Sequence, residues 1–65
     1  MKILVNGDLR DVVVPTLAAA LDELGYRGKV IATALNGEFI SSSLRSSAVL
    51  SEGDRVEVLA PMQGG

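Results

Sequence analysis

The chain has 65 residues, 48% of them hydrophobic and 22% charged, with a net charge of −2; this describes one small globular domain with a modest core and excludes a disordered segment. It contains neither cysteine nor histidine, so disulfides, thiolate metal sites, a cysteine nucleophile and every Ser-His-Asp arrangement are ruled out, along with most metal centres. The six basic residues, Lys2, Arg10, Arg27, Lys29, Arg45 and Arg55, are scattered where a nucleic-acid surface would gather them, and no apolar run is long enough to span a bilayer.

Residues 1–6, MKILVN, alternate so that Met1, Ile3 and Val5 share one face of a strand, and Asn6-Gly7 or Gly7-Asp8 supplies the positive φ angles of a hairpin turn. A second strand is expected over Leu9–Val14, because Val12, Val13 and Val14 are β-branched and Pro15 has no N–H to continue a ladder. Thr16 is a good helix N-cap. The helix predicted over 17–24 carries Leu17, Ala20, Leu21 and Leu24 on one apolar stripe, and Gly25 suits the left-handed position just beyond its end.

Val30–Asn36 reads as a third strand, turned by Asn36-Gly37 into a short fourth element, Glu38–Ile40, with Phe39 packing in the core or at an edge. Ser41–Ser47 reads as a solvated loop or brief 3₁₀ turn around Leu44, since serines compete for backbone hydrogen bonds. Glu52-Gly53-Asp54 then turns the chain into a last strand, Arg55–Ala60, with Val56 and Val58 on one face. One helix on a mixed four- to five-stranded sheet, with the first and last strands adjacent and parallel, is an α+β fold of the β-grasp arrangement. The domain is expected to occupy residues 1–60 and to be cytoplasmic, for the start lacks the features of a signal peptide.

Little within that domain carries chemistry. Asp22 and Glu23 are adjacent on the helix and do not face each other, while Glu52 and Asp54 bracket a turn glycine, so both pairs read as surface or turn residues rather than acid–base partners. No glycine-rich loop precedes the helix to cradle a phosphate. The last five residues, PMQGG, differ. Gly64 and Gly65 have no side chain to pack, Pro61 ends strand pairing, and 61–65 is expected to be a mobile tail reaching about 17 Å. A thread slim at Gly64 and Gly65 can enter another protein's channel and present a terminal carboxylate there. That carboxylate is ionised at neutral pH and must be activated before a nucleophile can attack it.

Four stretches, MKILVNGD at 1–8, PTLAAALDELG at 15–25, VIATALNGEFI at 30–40 and EGDRVEVLAPMQGG at 52–65, resemble the ThiS family, the small ubiquitin-like β-grasp sulfur carriers of thiazole formation in thiamine biosynthesis. The resemblance implies a protein that is a co-substrate rather than an enzyme. An E1-like adenylating enzyme would use ATP and Mg²⁺ to activate Gly65, sulfur from a donor protein would displace AMP, and the resulting thiocarboxylate would pass its sulfur to thiazole synthase. Carried over by position, Gly65 is the acceptor and Gly64 the slim residue behind it; Gln63 joins Gly64 in the threading segment. A docking surface is expected on the sheet side near the tail, with Met62 and Leu59 as candidates and a core role for Leu59 equally open. No bound cofactor or metal is implied. Many relatives carry Pro-Arg and a tryptophan after the fourth strand where this chain has Ser41-Ser42-Ser43, so no partner contact is carried over there. Two other readings share the fold: the small subunit of molybdopterin synthase, and a β-grasp binding module or protein modifier.

Overall fold

A computed structural model describes residues 1–60. The elements are β1 (Lys2–Val5), β2 (Asp8–Asp11), α1 (Leu17–Glu23), β3 (Ala32–Leu35), β4 (Glu38–Ile40), a 3₁₀ turn over Ser42–Leu44 and β5 (Arg55–Leu59). They form one five-stranded sheet in the order β2-β1-β5-β3-β4, in which β1 and β5 are parallel and the other neighbours antiparallel. The helix-on-mixed-sheet β-grasp arrangement expected from the element order is therefore what the chain adopts. The expected tail, 61–65, lies outside the described residues.

Alternation decides which face of the sheet is buried. Ile3 and Val5 from β1, Val56 and Val58 from β5, and Thr33 from β3 point inward, and Leu17, Ala20 and Leu21 of α1 close over them. Thr33 is the one buried polar side chain among the described residues. Its Oγ1 donates to the Ile40 carbonyl at 2.9 Å and accepts from Arg45 Nε at 3.0 Å, while Arg45 Nη2 reaches the Ile31 carbonyl at 2.7 Å. A buried hydroxyl with both roles filled costs little, and the arginine ties the serine-rich loop to β3.

Both ends of α1 are capped. Thr16 Oγ1 accepts the Ala19 N–H at 3.3 Å, and the N–H groups of Leu17 and Ala18 donate to the carbonyls of Ala48 and Arg45 at 2.8 and 3.0 Å. The donors that a helix start leaves unpaired are thus taken up by Thr16 and the loop before β5. At the other end Gly25 has φ +95°, Tyr26 N–H bonds the Leu21 carbonyl at 2.9 Å and Gly25 N–H bonds that of Asp22 at 3.2 Å. This is a Schellman closure.

Two Asn-Gly turns close the hairpins, with φ 51° and 85° at Asn6-Gly7 and 51° and 84° at Asn36-Gly37. Positive φ at both central residues gives the turn a twist matching that of the flanking strands. The asparagines also hold β5. Asn36 Oδ1 accepts the Arg55 N–H at 2.9 Å and its Nδ2 donates to Asp54 Oδ1 at 3.0 Å; Asn6 makes a corresponding pair of bonds to Val58.

Three expectations need correction. β2 covers Asp8–Asp11 rather than Leu9–Val14, and its four residues are all exposed. Val12 still pairs with Met1, donating its N–H at 2.9 Å and accepting from the Met1 ammonium at 2.7 Å, but beyond it the chain must leave the sheet to reach the helix layer. Val12 is fully buried as a result and Val13 is 86% exposed. β3 starts at Ala32, opposite Leu59 where its partner β5 ends, so Val30 lies outside the ladder and is exposed. β5 itself stops at Leu59, one residue short of the expected end. Leu50, on the loop before β5, joins the core, positioned by its N–H bond to the Pro15 carbonyl at 2.8 Å.

The three valines should therefore behave differently. Val12→Ala is expected to lower unfolding free energy by about 2 kcal/mol, the loss of two buried carbons plus a cavity. Val13→Ala should change it by less than about 0.5 kcal/mol. Urea unfolding of the two variants beside the parent checks both; equal losses would place Val13 inside the core.

Candidate functional site

The functional question concentrates where β5 ends. Inward residues alternate with outward ones along the strand, so Val56 and Val58 are buried while Arg55, Glu57 and Leu59 face away from the helix. Among the described residues, no helix lies over the sheet face that carries them. Leu59, whose role the sequence left open between core and docking, is 72% exposed and belongs to that uncovered face.

Leu59 has apolar company. It pairs with Ala32 on β3, and two residues along that strand Ala34 stands between Glu57 on β5 and Phe39 on β4. Two shallow depressions meet at Leu59: one lined by Ala32, Ala34, Phe39 and Glu57, the other by Val30, Ile31, Ala32 and Ala60. With Phe39 at 68% and Val30 at 80% exposure, these form an apolar patch at the root of the last five residues. A cluster of exposed large apolar side chains on so small a domain makes this face the candidate contact surface.

Of the residues singled out from sequence, Leu59 is placed on this patch, while Met62, Gln63, Gly64 and Gly65 lie outside the described residues. Phe39 was missed as a surface residue. The signal was present, because Ile40 packs toward the core and opposite Thr33, and in a strand the preceding residue must then face outward. Val30 had no such signal, since its exposure follows from where β5 ends.

The carboxylates behave as structural groups. Asp54 Oδ2 accepts the Ser51 N–H at 2.7 Å and Glu52 Oε1 accepts the Lys2 N–H at 3.0 Å, closing the turn before β5. In the serine cluster the Oγ atoms of Ser41 and Ser43 lie 3.2 Å apart and exposed, in keeping with a solvated connection. Among the described residues, no three His, Cys, Asp or Glu side chains are grouped to hold a metal ion, and no helix is long and apolar enough to cross a membrane.

Comparison with known proteins gives a consistent result. The model of the ThiS family matches residues 3–65. The Sulfur carrier protein ThiS of Thermus thermophilus is 40% identical over 60 residues, covering 92% of this chain and 94% of that protein. A crystal structure of a thiamine biosynthesis protein (ThiS) from Geobacter metallireducens superposes with a TM-score of 0.82 at 28% identity, with each chain covered completely. A solution structure of a thiamine biosynthesis protein from the same organism gives 0.79 at 28% identity, covering all of this chain and 88% of that one.

If the patch is a surface and not a part of the core, making it polar should leave the fold standing. Leu59→Ser and Phe39→Ser are each expected to change stability by less than about 1 kcal/mol, the size of a cross-strand pair on an open face. A cost of several kcal/mol in thermal unfolding would mean that these side chains support the core.

Proposed function

The chain belongs to the ThiS family, the sulfur carrier proteins of thiamine biosynthesis, and from that footing we propose that the sulfur travels on the carboxyl group of Gly65. The observation that carries the reading is that the family match runs through Gly65 and includes both terminal glycines. In this reading the reactive group is the carboxyl of Gly65.

The chemistry follows from what a carboxylate lacks. Being anionic at neutral pH, it repels nucleophiles and holds a poor leaving group. An E1-like adenylating enzyme, with ATP and Mg²⁺ in its own site, lets a Gly65 oxygen attack the α-phosphorus and expel pyrophosphate. Sulfide-level sulfur (HS⁻) delivered by a donor protein then adds to the acyl carbon of the adenylate, AMP leaves with the bonding electron pair, and a thiocarboxylate remains. Its sulfur is a stronger nucleophile than the oxygen it replaces, and thiazole synthase is the acceptor. In this scheme the chain is a co-substrate: Gln63 and Gly64 form the narrow segment that enters each partner, and Met62 with Leu59 makes contact near the tail's root. The exposure of Leu59 beside Phe39 supports that docking role. The thiamine reading, rather than the small subunit of molybdopterin synthase or an inert binding module, is the one the family match favours.

Two outcomes are expected. Deleting Gly65, or adding one residue after it, should abolish the mass gain of one oxygen exchanged for sulfur when the chain is incubated with activating enzyme, ATP and a sulfur source. Intact-mass spectrometry reads this directly, and a gain that persists in the shortened chain would place the acceptor elsewhere. Leu59→Ser should raise the KM of the activating enzyme for the carrier by about tenfold, as loss of an interface anchor does, with kcat little changed.

A further inference from the structure

The parallel ladder between β1 and β5 ought to end early. Leu4 and Asn6 donate their backbone N–H groups to the carbonyls of Asp54 and Val56, each at 2.9 Å. The next donor in that series is Asp8, which the Asn6-Gly7 turn has carried into β2. Val58 is 6% exposed, so its backbone groups on this edge would be left largely without water or a partner. The Asn6 side chain fills the gap. Its Oδ1 accepts the Val58 N–H at 2.8 Å and its Nδ2 donates to the Val58 carbonyl at 3.1 Å, so one amide stands in for a strand residue. Such pairing of both groups is possible because an asparagine amide carries a donor and an acceptor side by side.

We infer that Asn6 is a positioning residue for the reaction at Gly65, an inference that rests on the reading of Gly65 as the acceptor. Val58 lies two residues before Ala60, and Asn6 is what holds it on the β1 side. On the β3 side β5 stays paired as far as Leu59. Without the amide, the end of β5 keeps one paired edge and gains lateral freedom, so the segment leading to Gly65 starts from a less fixed place. Extra slack must be ordered again when the carboxylate meets ATP, and small misplacements of a reacting group are costly in rate. Asn36 provides an internal comparison. It holds β5 by the same kind of amide bonds, but at Arg55 and Asp54, the end away from the tail.

The experiment compares Asn6→Gly with Asn36→Gly, since glycine keeps the positive φ of each turn and removes only the amide. Adenylation is followed as ATP–pyrophosphate exchange by an E1-like activating enzyme of the thiamine pathway, with carrier concentration varied to separate kcat from KM. Asn6→Gly should lower kcat by about tenfold and move KM by less than about threefold; Asn36→Gly should leave both near the parent values. Amide hydrogen exchange should show Val58 opened in the first variant only, which a general loss of stability would not produce. Asn6→Asp, which keeps an acceptor for the Val58 N–H but sets a carboxylate oxygen against its carbonyl, should also lose rate. Equal kcat for the parent and Asn6→Gly, with Val58 opened, overturns the inference and leaves the Gly65 reading intact. Equal losses in the Asn6 and Asn36 variants overturn it as well. Absence of exchange with the parent chain removes the Gly65 reading and this inference together.

Discussion

A strand in the interior of a sheet must have the N–H and C=O groups of both its edges paired, and β5, the last strand in the chain, lies between β1 and β3. Each hairpin can form locally, but neither gives a sheet until β5 has come in between them. Its partners are residues far away in sequence: Leu4 and Asn6 on one edge, Ala32 to Asn36 on the other. Where the regular ladder fails, side chains replace it, Asn6 at one end of the strand and Asn36 at the other. The loop that delivers β5 is fixed by the same logic, through bonds from the helix start to Arg45 and Ala48 and from Leu50 to Pro15.

This arrangement explains which parts of the molecule could be read from the chain. The turns, the capped helix and the inward valines of β5 depend on local chemistry: positive φ at Asn-Gly, a threonine hydroxyl within reach of Ala19, a period of two. They were legible. The ends of β2 and β3 were not, because a strand continues only as far as its neighbour, and the neighbours are set by tertiary pairing. Val12 and Val13 have the same propensity and opposite fates for that reason. Leu50 entered the core from a loop without periodicity, and the asparagine amides looked like turn residues because their partners are distant in sequence.

The candidate site was legible in a different measure. Gly64 and Gly65 stand out by composition and by resemblance, so the proposal of Gly65 as acceptor rests on the sequence and not on coordinates. The surface beside it could not be drawn the same way. It depends on one short helix covering only one face of a five-stranded sheet, which leaves Leu59, Phe39 and Ala32 facing outward together. Apolar residues on an uncovered face are the ordinary consequence of half-covered sheets; here they lie where β5 ends.

The two outer strands bear on the company this protein keeps. A sheet border with free N–H and C=O groups is a template on which a stray strand from another molecule can add, and the hazard grows with length and greasiness. Here one border is the four-residue β2, with Asp8, Arg10 and Asp11 along it, and the other is β4, three residues long and opened by Glu38. Both are short, and each carries at least one charged side chain, which limits their use as a template for a further strand. The apolar side chains are thus concentrated on the uncovered face, while the rims carry short strands with charged residues along them.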